Sequence, residues 1–312
     1  MVVSGRLRNG YDADHIMNDQ SSDATPVLAG LSDIASAYDG LLIDLWGCLH
    51  NGITAYDAAV DALVRFREGG GRVVLLSNAP RDDRAVMAQL VRFGVPDTAW
   101  DAIMTAGLAV KLEMNERADP WFAELGRRYY HIGTENDASL LDGLDYERVG
   151  TVGEAEFVLC CGIRHSGETV ADIMPELEPA LARGLPLVST NPDKSVLRGD
   201  TREICAGTIA EAYVAMGGTM REEGKPYPAV YARCRTLLGD VATDRILAIG
   251  DGIETDIAGA RDAGIDALWI TGGLPAHSWG VAPDAPPPQD RVVAACAESG
   301  VNPRGVMPLL AW

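Results

Sequence analysis

Asp44 stands at the end of the apolar run Leu41-Leu-Ile-Asp44 and is followed by Leu-Trp-Gly47, which brings a carboxylate to the mouth of a strand just where a glycine lets the chain turn. A carboxylate so placed can attack an electrophile or hold a cation, and it can also simply cap the next turn. A second acidic pair, Asp251 and Asp256 in Gly250-Asp-Gly-Ile-Glu-Thr-Asp256, follows the run Arg245-Ile-Leu-Ala-Ile249 and opens a helix. Two carboxylates five apart across a strand–loop–helix junction can hold a hard divalent cation, one directly and the other through water or a backbone amide. Helix capping by Asp251 or Thr255 explains one such residue but leaves the pair unexplained.

Two further positions have the chemistry of anion binding. Ser77-Asn78 follows the run Val73–Leu76, where a hydroxyl and an amide can donate to phosphoryl oxygens, although Ser-Asn-Ala-Pro is also an ordinary turn. Lys225 in Gly224-Lys-Pro-Tyr-Pro precedes a helix and can neutralise both an aspartate nucleophile and a phosphate; a solvated surface lysine is the commoner fate.

The elements that must position these residues alternate. Segments 40–46 and 72–77 have the length and apolarity of buried parallel strands, each followed by helical spacing, at Val60, Leu63 and Val64 and then at Val86, Met87, Leu90 and Val91. Further strands are predicted at Tyr129–Ile132, Phe157–Cys161, Leu185–Ser189, Arg245–Ile249 and Ala267–Ile270. Helices are predicted around 168–183, 208–216, 227–238 and 254–263. This order predicts an α/β fold, a doubly wound parallel sheet with helices on both faces, whose ligands bind beyond the carboxyl ends of the strands. Residues 1–27 show no periodicity and are expected to form a loose arm.

The 312 residues, 47% of them hydrophobic, suffice for a large core. With 26 Lys+Arg against 45 Asp+Glu, the formal charge of −19 argues against nucleic acid and anionic membranes as partners. The six cysteines show no C-x-x-C spacing and read as small buried hydrophobes of a reducing compartment; with no apolar run near the roughly 20 residues of a membrane span, a cytoplasmic location is expected.

Taken in chain order, Asp44-x-x-Gly47, Ser77-Asn78, Gly224-Lys-Pro226 and Gly250-Asp-x-x-x-Thr-Asp256 resemble the four motifs of the haloacid dehalogenase (HAD) superfamily of phosphotransferases. The wide gap between the second and third motifs resembles the inserted type-2 cap of subclass IIA, the group of 4-nitrophenyl, phosphoglycolate and pyridoxal phosphate phosphatases and nucleotide monophosphatases. Thr190-Asn-Pro-Asp193 and Ala206-Gly-Thr-Ile-Ala-Glu211 are also similar to that subclass. The resemblance covers roughly residues 38–275. It implies a Rossmann-like core over 28–96 and 207–312 and an inserted α/β cap over 97–206.

By this resemblance Asp44 attacks phosphorus to form an aspartyl-phosphate, while Ser77, Asn78 and Lys225 bind the phosphoryl group. Mg²⁺ is implied, bound by Asp44, the Trp46 main-chain carbonyl and Asp251, with Asp256 behind them. Asn191 and Asp193 are candidates for contacting substrate or the core loops, and an Asn-Pro-Asp turn is the plain alternative.

Trp46 departs from the family pattern, which normally places there a second Asp that protonates the leaving oxygen and then activates water. General acid–base help of this kind contributes about 100- to 10,000-fold. Three ways of living without it stay open: a substrate with a good leaving group, another proton donor with His50 as first candidate, or slow turnover. The expected function is Mg²⁺-dependent hydrolysis of a small phosphorylated metabolite, with a homodimer as a possible assembly. The alternative is a weakly catalytic protein that binds a phosphorylated ligand for regulation.

Overall fold

The computed structural model describes residues 25–198 and 201–312, so nearly all of the expected arm over 1–27 lies outside the described residues. Its end does not behave as an arm. Val27 bridges to Val306, and Leu28 N–H donates to the Val306 carbonyl at 3.0 Å, which ties residues 25–28 to an edge of the main sheet.

Two parallel sheets carry the structure. The first uses β1 (Gly40–Ile43), β2 (Arg72–Ser77), β3 (Ala102–Thr105), β11 (Ile246–Gly250), β12 (Asp266–Ile270) and β13 (Gly305–Met307), in the order β13-β12-β11-β1-β2-β3. The second uses β4 (Arg128–Ile132), β5 (Glu147–Arg148), β6 (Phe157–Cys160), β7 (Leu187–Ser189) and β10 (Met220–Glu222), in the order β10-β7-β6-β4-β5. A separate antiparallel hairpin joins β8 (Ser195–Arg198) to β9 (Thr201–Ile204).

Period-two alternation explains why the first sheet is covered on both faces. Leu41, Ile43, Val73 and Leu75 pack with Ala59, Ala62, Leu63 and Phe66 of helix Asp57–Glu68. Their neighbours Leu42, Val74 and Leu76 turn the other way, onto Val230, Tyr231, Cys234 and Leu238 of helix Pro228–Leu238. Strands buried on both faces read as continuous apolar runs, the pattern expected of parallel sheets.

The expected domain boundaries shift at both crossings. Val74–Ser77 pairs with Ala102–Thr105, so the first sheet keeps the chain past residue 97. Leu187–Ser189 pairs with Met220–Glu222, and Ile209 and Tyr213 of helix Ala206–Ala215 pack into the second sheet's core, so the insert runs past 206. Both strands, absent from the sequence-based expectation, are short edges, and Met-Arg-Glu carries no apolar signal. The helix expected over 254–263 is also modified: Ile253–Ile257 forms a π-helical turn before α-helix Ala258–Asp262.

Candidate active site

The chain order in the first sheet reverses between β1 and β11, and in such a sheet the crevice beyond the strand ends at this reversal is where ligands bind. Asp44 leaves β1 there, its N–H donating to the Ile249 carbonyl at 2.8 Å, and Asp251 leaves β11 beside it. Lys225 Nζ lies between two carboxylates, 2.6 Å from Asp44 Oδ1 and 2.8 Å from Asp256 Oδ1, and it also donates to the Leu76 carbonyl at 3.2 Å. All of these side chains are buried. The π-helical turn presents Asp256, whose Oδ2 accepts from Gly252 N–H at 3.2 Å and from Thr255 Oγ1 at 3.3 Å.

Gly47 explains how the Asp44 loop clears Asp251. Its φ is +76°, and a Cβ there would fall 2.3 Å from Asp251 Oδ2. Asp251 Oδ2 in turn accepts from Leu274 N–H at 2.9 Å. A cavity of about 340 Å³ opens onto Asp44, Ser77, Lys225, Asp251 and Asp256 together.

Three carboxylates face one ammonium here. Burial raises the Asp44 pKa, with Asp256 and Asp251 adding to the rise and Lys225 opposing it. Burial likewise lifts Asp251 to about 7, helped by Asp256. Burial would strip the proton from Lys225, but Asp256, Asp44 and Asp193 outweigh it and raise its pKa. The surplus of negative charge and the oxygen donors fit a hard divalent cation. Oxygens of Asp44 and Asp251 and the sulfur of Cys48 all lie within 4.8 Å of one another. Burial, together with Asp251 and Asp44, raises the Cys48 thiol pKa, and a hard cation prefers the carboxylate oxygens to the sulfur. Nothing in the sequence pattern marked Cys48, because a tight turn carries no periodic signal.

Asn78 takes a different part from the expected one. Its Nδ2 donates to Asp193 Oδ1 at 2.8 Å and to the Lys225 carbonyl at 3.0 Å, while its Oδ1 accepts from Lys225 N–H at 2.8 Å. With both amide hydrogens engaged, it positions Lys225 and Asp193 and has none to offer a phosphoryl oxygen. Ser77 does border the cavity, its Oγ accepting from Ala79 N–H at 3.2 Å.

His50 is also corrected. It is fully buried between the Trp46 and Phe93 rings, with centroids 5.1 and 5.2 Å away, and it does not line the catalytic cavity. Its Nδ1 accepts from Gly52 N–H at 3.1 Å, and burial lowers its pKa to about 4. A neutral, walled-in imidazole is no proton donor for a substrate. Trp46 itself lies against Gly52, where φ is +82° and a Cβ would come within 2.3 Å of the indole. The Trp46 ring thus forms a wall of the site.

The carboxyl ends of the second sheet face this centre. A smaller cavity of about 130 Å³ lies between Trp46 and Pro80–Arg81 on one side and Thr134, Asp137, Cys161–Ile163, Asn191 and Asp193 on the other. Arg81 Nε donates to Asp137 Oδ1 at 2.7 Å across it, a pair the sequence did not flag. Asn191 Oδ1 accepts from Asp193 N–H at 2.9 Å, so the Asn-Pro-Asp segment is a turn that also presents Asp193 to the core.

This geometry has counterparts. Residues 41–147 match the model of a haloacid dehalogenase-like hydrolase family, and residues 222–298 match a second HAD-hydrolase-like model. A haloacid dehalogenase-like hydrolase from Brucella suis 1330 is 34% identical, covering 91% of this chain and 100% of its own, with a TM-score of 0.78. The chain belongs to the haloacid dehalogenase-like hydrolase family.

Among other relatives of this HAD hydrolase, D-glycerol 3-phosphate phosphatase of Mycobacterium tuberculosis is 28% identical over 247 residues, 78% of this chain. The chain spans 66% of that relative's length. A glycerol phosphate phosphatase structure from M. tuberculosis in complex with magnesium is 26% identical, covers 77% of this chain and 69% of its own, and has a TM-score of 0.61. Among the described residues of this HAD hydrolase, no helix is long and apolar enough to cross a membrane.

Proposed function

We propose that the protein is a Mg²⁺-dependent phosphohydrolase acting on a small phosphorylated metabolite through an aspartyl-phosphate on Asp44. The observation that carries this reading is the Lys225 ammonium, held 2.6 Å from Asp44 and 2.8 Å from Asp256 at the mouth of a shared cavity. A carboxylate approaching a phosphate dianion is repelled, and a buried ammonium aimed at both offsets that repulsion. Asp44 and Asp251 would hold the Mg²⁺ with the Trp46 carbonyl; when bound, the ion supplies positive charge for the phosphoryl oxygens. Asp44 attacks phosphorus, Lys225 holds the nucleophile and an equatorial oxygen, and Ser77 donates to another. Water then releases phosphate from Asp44. The relative that acts on D-glycerol 3-phosphate supports a hydroxylated leaving group.

Purified protein with Mg²⁺ and a panel of glycerol, sugar, nucleotide and nitrophenyl phosphates tests this reading against Asp44→Asn. Phosphate release that disappears in Asp44→Asn supports it. Release that survives the substitution removes Asp44 as nucleophile, and metal-dependent ligand binding without any release would favour the regulatory alternative.

A further inference from the structure

Trp46 leaves the core without the acid that a phosphomonoesterase of this architecture would use, so a proton for a poor leaving group such as an alkoxide must come from elsewhere. Geometry limits the choice. Phosphoryl transfer is roughly in line, so the leaving oxygen lies opposite Asp44 and points away from β1, towards the second sheet. Of the carboxyl groups lining the catalytic cavity, Asp44, Asp251 and Asp256 come from the first sheet and its loops. Among the described residues only Asp193 comes from the second, in the turn after β7. Among the described residues it is also the one that borders all three cavities around the site, the catalytic one, the small one beneath Trp46 and the wider groove beside Tyr227 and Trp279.

We infer that Asp193 is the general acid and base of this enzyme, standing in from the cap for the carboxylate that Trp46 displaces. The inference rests on the phosphohydrolase reading. Asn78 fixes one oxygen of Asp193 with the same amide group that holds the Lys225 carbonyl, so the acid and the Lys225–Asp44 pair are set in one frame. The other oxygen, Oδ2, takes no hydrogen bond among the described residues and is the one free to face substrate. Burial raises the Asp193 pKa, against Lys225 and the Asn78 hydrogen bond, and Asp256 and Glu222 push it the same way as burial. A carboxyl that keeps its proton nearer neutrality is better matched to this task.

The steps balance. As Asp44 bonds to phosphorus, the bond from phosphorus to the leaving oxygen breaks with its electron pair on oxygen, and the Asp193 proton moves to that oxygen. The alcohol departs and Asp193 is a carboxylate. Water then attacks the aspartyl-phosphate and gives a proton to Asp193, which restores the acid, while phosphate leaves Asp44 as a free carboxylate.

The test uses the full chain with Mg²⁺, in single turnovers that read the release of the leaving group alone. Two esters are compared, glycerol 3-phosphate, whose alkoxide must be protonated, and 4-nitrophenyl phosphate, whose phenolate leaves unaided. Asp193→Asn, which still accepts the Asn78 bond, is expected to slow the alkyl ester by about 100- to 10,000-fold and the aryl ester by less than about threefold. Equal slowing of both, or of neither, overturns the inference. A measurement on the unsubstituted protein makes the same distinction without relying on the variant's folding: the alkyl-ester rate should fall with rising pH where the aryl-ester rate does not, and parallel profiles overturn it. If neither ester is cleaved by the unsubstituted protein while other phosphates are not either, it is the phosphohydrolase reading that has failed.

Discussion

The Arg198 guanidinium lies over the Trp46 indole, 5.3 Å from the ring centroid, and joins the β8–β9 hairpin to the loop that carries Asp44. Glu203 on the facing strand holds Arg198, accepting from its Nε at 3.1 Å, and Val196 and Leu197 of the same hairpin border the catalytic cavity. The large side chain at position 46 thus gives the hairpin a surface to rest on.

A half-exposed cation–π contact contributes about 0.5–1 kcal/mol. Arg198→Leu should therefore loosen the hairpin and raise KM about two- to fivefold while leaving kcat nearly unchanged. Steady-state kinetics on the best substrate of the panel checks this, and an unchanged KM would show that the contact does nothing for binding.

Lys225→Met should damage both stability and turnover. It leaves Asp44 and Asp256 buried without their shared cation, and breaking a buried pair from one side costs about 3–5 kcal/mol. Urea denaturation of metal-free protein should register a loss of this size. Turnover should fall by about 100-fold or more. A variant as stable as the parent would mean that the ammonium is not the site's electrostatic centre.

Those side chains were legible in the sequence because the site sits where apolar runs stop. Asp44 and Asp251 follow, and Ser77 ends, a strand whose buried core is written in consecutive aliphatic residues, and the sheet's reversal between β1 and β11 brings Asp44 and Asp251 together. What depends on packing between distant segments was not legible. Asn78 looked like a phosphate donor until both its hydrogens were seen to be engaged, and His50 looked accessible because it lies in a polar turn. The β8–β9 hairpin, Ser-Val-Leu-Arg against Thr-Arg-Glu-Ile, is too short and too polar to announce itself, and its importance comes from where it lands.

His50 should act on stability and not on catalysis. Burial lowers its pKa from 6.5 to about 4, so between these values the unfolded chain binds a proton that the folded chain refuses. Folding stability from this group is therefore full above pH 6.5 and is lost as pH falls to 4, about 3 kcal/mol in all. His50→Asn retains an acceptor for Gly52 N–H and removes the titration. Its stability relative to the parent should improve by about 3 kcal/mol between pH 7 and pH 4 in urea titrations, with the shape of the pH–rate profile unchanged. A profile that lost a limb would return His50 to the chemistry.

Asp251 makes the opposite link, and on the proposed function it couples the metal to pH. Burial lifts its pKa from 3.8 to about 7, so here the folded state holds the proton more tightly than the unfolded chain. The associated stability is fully present below 3.8 and lost as pH rises through 7, where the His50 contribution is complete and no longer changes with pH. Metal-free protein should accordingly have a lower Tm at pH 8 than at pH 6 from this source. A divalent cation binds the deprotonated carboxylate, so Mg²⁺ should raise Tm more at pH 8 than at pH 6 and should release a proton on binding near pH 6.5. Calorimetry in buffers of different ionisation enthalpy reads that proton directly. Asp251→Asn should abolish both the proton release and most of the Mg²⁺-induced gain in Tm, whereas buffer-independent heats in the unsubstituted protein would place the metal away from Asp251.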